Sequence, residues 1–146
     1  MEIAPETLNV ESTYKLLTGC VVPRPIAWVT TLSDDGRINA APFSAFTFVS
    51  TKPPMVGISI GKKVGVMKDT PRNMLARKEF TVNIGDLGLL DQLHLSAQEY
   101  PVDVSEVEEL DIEVLPAQRI KTPRIAKAPV ALECILNQVV SFGERT

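Results

Sequence analysis

The feature that most narrows the folds open to this chain is Ser33-Asp34-Asp35-Gly36, set between two runs rich in β-branched, aromatic and small residues. The Asp-Gly step supplies the positive backbone angles a tight reversal needs, so residues 26–32 and 38–50 are predicted to pair as an antiparallel hairpin. Pro42 falls inside the returning run. Lacking an N–H, it fits a bulge or an unpaired edge, where an interrupted ladder leaves backbone groups open to a ligand. Pro53-Pro54 marks a loop, and residues 55–60 and 79–84 read as further strands.

Helical spacing is confined to short stretches. Leu8, Tyr14, Leu16 and Leu17, with Gly19 placed as a stop, predict a helix over 10–18. Leu87, Leu90 and Leu93 behind a capping Asp86 predict another that runs to about Ala97. The acidic stretch 103–113 reads as solvated. Over 130–140, apolar residues fall on both faces, Leu132, Cys134 and Leu136 on one and Ile135 and Val139 on the other, as in a strand buried on two sides. Residues 141–146 resemble a turn with no returning strand, so the chain is expected to lack a C-terminal part of its domain. At 146 residues, 1–146 reads as one domain.

Composition excludes several classes of function. With 45% hydrophobic and 23% charged residues and a net charge of −3, the chain is an ordinary globular one. It has no basic field for a nucleic-acid backbone or an acidic membrane surface. No apolar run reaches the length of a spanning helix. The first residues lack the basic and apolar regions of a secretory signal, and the predicted location is the cytoplasm. Cys20, Cys134 and the single His94 cannot assemble a four-ligand zinc site, and both cysteines read as reduced, buried thiols.

Two constellations could carry chemistry. In Lys68-Asp69-Thr70-Pro71-Arg72-Asn73, Asp69 or Thr70 can cap a helix that starts at Pro71. Free amides, the macrodipole and Lys62, Lys63, Lys68 and Arg72 favour a phosphate-sized anion there, although a plain capped helix with solvated lysines has the same pattern. In the hairpin, Ala40, Ala41 and Ser44 would let the backbone approach a planar heterocycle, while Asn39, Thr30 and Thr31 offer polar groups at its edges. Tight barrel packing would use the same small residues. His94 has no carboxylate partner in sequence, and nucleophile-elbow, P-loop and dinucleotide fingerprints are absent, so in an enzyme a cofactor would carry the chemistry.

Taken together, VVPRPIAWVTT, NAAPFSAFTFVSTKPPMVGISI and KDTPRNMLARKEFTVNI resemble the flavin reductase-like, FMN-binding split-barrel family, and ALECILNQVVSFGERT resembles its later barrel strand. The resemblance implies a mainly β fold with short helices, a six-stranded antiparallel Greek-key split barrel. It also implies a homodimer, FMN near the subunit interface, and NAD(P)H as electron donor to the flavin. The isoalloxazine ring is then expected against Thr30, Thr31, Asn39, Ala40, Ala41, Pro42 and Ser44, with Arg24 and Pro25 as further contacts. The phosphate is expected around Ser59, Lys62, Thr70 and Asn73. Reduced flavin would leave or pass electrons to oxygen, ferric iron or a partner such as a monooxygenase. An FMN-holding electron carrier, and a pyridoxamine phosphate oxidase-like or heme-binding barrel, are the alternatives on the same fold.

Overall fold

A computed structural model of the chain describes residues 2–61, 67–101 and 104–142. Its centre is strand β1 (Ala27–Leu32), which has β2 (Ile38–Phe43) on one side and β5 (Glu79–Ile84) on the other. Strand β8 (Val130–Ile135) extends the sheet beyond β5, giving the antiparallel order β2-β1-β5-β8. The other described strands form two small ladders, β3 (Phe46–Thr51) with β4 (Pro54–Ile58) and β6 (Val114–Leu115) with β7 (Arg124–Ile125). All are antiparallel, and they do not close into one barrel.

Strand alternation divides the core between the two faces of β1. Trp28 packs on one side with Ala40, Leu89, Val107, Ile112 and Ile125. Ala27 and Val29 pack on the other with Met74, Phe80 and Val82. Helices α2 (Asp69–Arg77), α3 (Leu90–Leu95) and α4 (Glu106–Glu109) pack against this sheet, and α1 (Val10–Cys20) precedes it in the chain. Helix α1 starts at Asn9, whose side chain accepts from Ser12 N (2.8 Å), and buries none of its residues.

The β1–β2 reversal is a three-residue connection closed by Ser33 N to Arg37 O (2.9 Å), with Gly36 at φ 89° in the left-handed region. The predicted 38–50 strand is two strands, because the chain breaks at Ser44-Ala45 and β3 leaves the main sheet. Pro42 sits in register opposite Trp28 on β2, an edge strand, so its missing N–H costs no ladder bond; the bulge lies in β3 between Phe48 and Ser50.

Other expectations shift by local geometry. Helix α1 runs through Gly19 to Cys20, and Cys20 is exposed rather than buried. Helix α2 begins at Asp69 with Lys68 as N-cap and no side-chain cap. The helix expected behind Asp86 is a 3-10 turn, Leu87–Leu89, followed by α3. Strand β8 is an edge strand of intermediate exposure, not one buried on two sides, and it ends at Ile135. The acidic stretch is not wholly solvated: Ser105 caps α4, and Glu106 and Val107 are buried.

Candidate flavin site

A groove of about 180 Å³ runs beside the free edge of β2. Asn39, Ala41, Pro42 and Phe43 of β2 form one wall, and Lys68, Asp69 and Thr70 at the start of α2 form the second. Residues 96–100, which follow α3, form the third, and Glu106 of α4 closes one part. The start of α2 is held against the sheet by a buried polar network. Thr31 Oγ1 accepts from Asn73 Nδ2 (3.1 Å), and the Asn39 amide lies 3.0 Å from Thr70 Oγ1. Thr70 and Asn73 are 2% and 4% exposed, so these bonds form away from water.

The edge of β2 is covered in part from α4. Ser105 Oγ donates to Ile38 O (2.6 Å), and Ala40 N donates to Glu106 Oε2 (3.2 Å). Both backbone groups of a residue in an antiparallel strand point to the same side, so Ala40 and Pro42 turn their carbonyls outward, away from β1. Burial raises the Glu106 pKa above the ordinary glutamate value, and the Asp69 carboxylate adds to the rise, against the lowering effect of its backbone hydrogen bonds.

The predicted residues fall into separate places. Asn39, Ala41, Pro42 and Thr70 line the groove together. Ala40 is fully buried between β1 and the Trp28 side of the core. Thr30 and Thr31 are both fully buried but face opposite sides of the sheet; Thr30 Oγ1 donates to Pro123 O (2.7 Å) and accepts from Asn83 Nδ2 (3.2 Å). Asn73 turns to the other side of α2, beside Ser33, Arg37 and Arg72. Arg24 donates from Nε to Ser44 Oγ (3.3 Å) and from Nη1 to the carbonyls of Thr18 (2.6 Å) and Val21, which ties the end of α1 to the end of β2. Pro25 next to it is exposed. Ser59 is exposed, and its amide donates to Ala45 O (2.8 Å). Lys62 lies outside the described residues.

Sequence reasoning missed Glu106 and residues 96–100 as groove residues, while Lys68 and Asp69 line the groove at the helix start where an anion was expected. A signal for the first was present: Ser105-Glu106-Val107-Glu108 has the spacing of a helix-capping box. Ser105 Oγ does accept from Glu108 N (3.3 Å).

The donor set fits a flavin phosphate ester. The first-turn amides of α2 have no side-chain cap, Lys68 adds a positive charge, small residues line β2, and its outward carbonyls can accept from a heterocyclic N–H. Comparison with known proteins agrees with this chemistry. Residues 18–146 match the flavin reductase like domain, and the chain belongs to that family. It is 39% identical over 137 residues to the uncharacterized protein YwrF of Bacillus subtilis, across 94% of this chain and 67% of that one. Nitrilotriacetate monooxygenase component B from Bacillus cereus superposes with a TM-score of 0.95 at 33% identity, covering 99% of this chain and 71% of that one. The 2-nitrobenzoate 2-nitroreductase NbaA of Pseudomonas fluorescens gives a TM-score of 0.91 at 36% identity, over 99% and 70%.

Proposed function

We propose that this chain is an FMN-binding oxidoreductase that accepts reducing equivalents from NADH or NADPH. The observation that carries the reading is the groove itself, which brings Asn39, Ala41 and Pro42 of the NAAPFS segment against the uncapped start of α2 at Lys68–Thr70. When bound, the flavin supplies a two-electron acceptor for hydride, and the chain has no need of a side-chain acid or base. What the residues supply is binding and orientation. Small side chains on β2 admit the ring, and the Ala40 and Pro42 carbonyls orient its polar edge. The amides of Asp69 and Thr70, with Lys68, attract the phosphate. Ser59 and Lys62 complete the proposed phosphate set, Asn73 holds the start of α2 in place through Thr31, and Arg24, Pro25 and Ser44 form the surroundings of the ring.

The finer architecture belongs to the same proposal: one domain over 1–146, a six-stranded Greek-key split barrel, a cytoplasmic homodimer and a monooxygenase or other acceptor of electrons. Exposed apolar residues support the dimer. Tyr14, Leu17, Val21 and Val22 in and after α1, and Phe48 and Val49 on β3, are uncovered in the single chain. The Bacillus cereus neighbour is a component of a nitrilotriacetate monooxygenase, which supports the monooxygenase partner. Anaerobic mixing of protein, FMN and each nicotinamide nucleotide tests the reading. Bleaching of the flavin absorbance with at least one nucleotide is expected. An unbleached flavin with both would overturn reductase activity, and bleaching only after a second reductase is added would identify an electron carrier instead.

A further inference from the structure

The walls of the groove lie on opposite sides of the sheet. Helix α2 belongs to the Ala27 and Val29 side, where Met74 joins the core. Residues 96–100 follow α3 on the Trp28 side, where Leu89 and Leu93 pack. Between the two runs the free edge of β2, with the Ala40 and Pro42 carbonyls turned outward. The Trp28-side wall is a folded turn. Ser96 N donates to Gln92 O (2.9 Å), Ala97 N to His94 O (3.2 Å) and Gln98 N to Leu95 O (3.0 Å). Ser96 is 2% exposed, and its Oγ donates to Leu93 O (2.8 Å). Tyr100 Oη also donates to Leu95 O (3.3 Å), which ties the phenol to that turn. Among the described residues, two aromatic side chains line the groove, Phe43 and Tyr100. Phe43 packs against the Val29 side of the core, whereas Tyr100 is half-buried and belongs to neither core cluster.

We propose that Tyr100 is a flavin-contact residue, which stacks its phenol on the face of the isoalloxazine ring turned toward α3. The inference rests on the flavin reading of the groove. A flat ring that enters between two walls presents one face to each. If it donates edge-on to an outward carbonyl of β2, it continues the sheet beyond that strand. Its α3-side face then meets residues 96–100, where Tyr100 supplies the aromatic surface. Offset stacking of a phenol on a heterocycle combines apolar contact with a favourable quadrupole arrangement. The bond to Leu95 O already restricts the phenol, so little rotamer freedom is left to lose when the ring arrives.

The test compares the full chain with Tyr100→Phe and Tyr100→Leu by two readouts, FMN affinity from the change in visible absorbance and the fluorescence lifetime of the bound flavin. A phenol in contact with an excited flavin gives it an electron and takes it back without emission, and phenyl and aliphatic groups are far poorer donors. Quenching by Trp28, buried in the core, is common to the three proteins and cancels in the comparison. Tyr100→Phe keeps the stacking surface, so it is expected to hold FMN with the wild-type affinity and to lengthen the lifetime. Tyr100→Leu is expected to bind FMN more weakly by about two- to ten-fold, the range for one aromatic stack. A Tyr100→Phe protein that binds FMN with the wild-type lifetime overturns the inference and leaves the flavin site standing, and so does loss of affinity in Tyr100→Phe or wild-type affinity in Tyr100→Leu. Absence of FMN binding by all three proteins overturns the flavin reading and this inference together.

Discussion

Glu106 opposes folding when it ionises, because the folded chain removes it from water beside Asp69. Its folded pKa lies above the unfolded one, so the folded state holds more protons in that window. Stability is full below the ordinary glutamate value and falls as pH rises through the raised folded value. Glu106→Gln removes that loss. Thermal melts of flavin-free protein are expected to give the variant the higher midpoint at alkaline pH, and a lower midpoint there would contradict the assignment. Asn83 presents the opposite case, a buried amide with every bond made. Its nitrogen donates to Trp28 O (3.0 Å) and its oxygen accepts from Ile125 N (2.9 Å), which joins β5 to β1 and β7. Asn83→Leu strands those groups and is expected to cost about 2–4 kcal/mol by urea denaturation. The thiols differ as well: burial raises Cys134 to about 11, whereas Cys20 is exposed. A disulfide reagent at neutral pH is expected to modify one thiol quickly, and mass mapping should place it at Cys20.

Among the elements, α2 has the largest effect on the site, because its N-terminal turn is one wall of the groove. Side-chain links fix it to the hairpin at both ends: Asn73 to Thr31 and Thr70 to Asn39 near its start, and Arg77 to Ser33 O (2.7 Å) at its last residue. Asn73→Ala leaves the Thr31 hydroxyl unpartnered in the core and is expected to cost about 1–3 kcal/mol of stability. A Thr70→Ala, Asn73→Ala double variant that still folds is expected to bind FMN more weakly by a few kcal/mol, on the order of two or three lost hydrogen bonds. Unchanged affinity would move the phosphate elsewhere. The hairpin and β5 were legible in the sequence because a turn signal and β-branched runs are local properties. The break after Phe43 was not, since β3 leaves the sheet to pair with β4 and no residue at 44–45 announces it. Helix α4 was obscured by its acids. Glu106 is buried by tertiary contact with β2, which composition cannot reveal. The alternation of β1 also sets Thr30 and Thr31 on opposite faces, which is legible in the sequence as a local property.

At the scale of the whole molecule, the sheet, the groove and the uncovered apolar residues have to be read together. No helix among the described residues is long and apolar enough to cross a membrane. Helix α1 buries nothing within the chain, and Ile135, Val139 and Phe142 are exposed at and beyond the end of β8. A second copy is the expected cover, and light scattering behind a sizing column should give twice the chain mass; a monomer at micromolar concentration would contradict the dimer. The central claim is that an anionic flavin sits with its phosphate at the start of α2. Parallel titrations with FMN and riboflavin test it most directly, by quenching of flavin fluorescence. The account predicts that FMN binds more tightly by at least about ten-fold, the equivalent of one charge-assisted hydrogen bond or more. Equal affinity for the two flavins, or binding of neither, would contradict it.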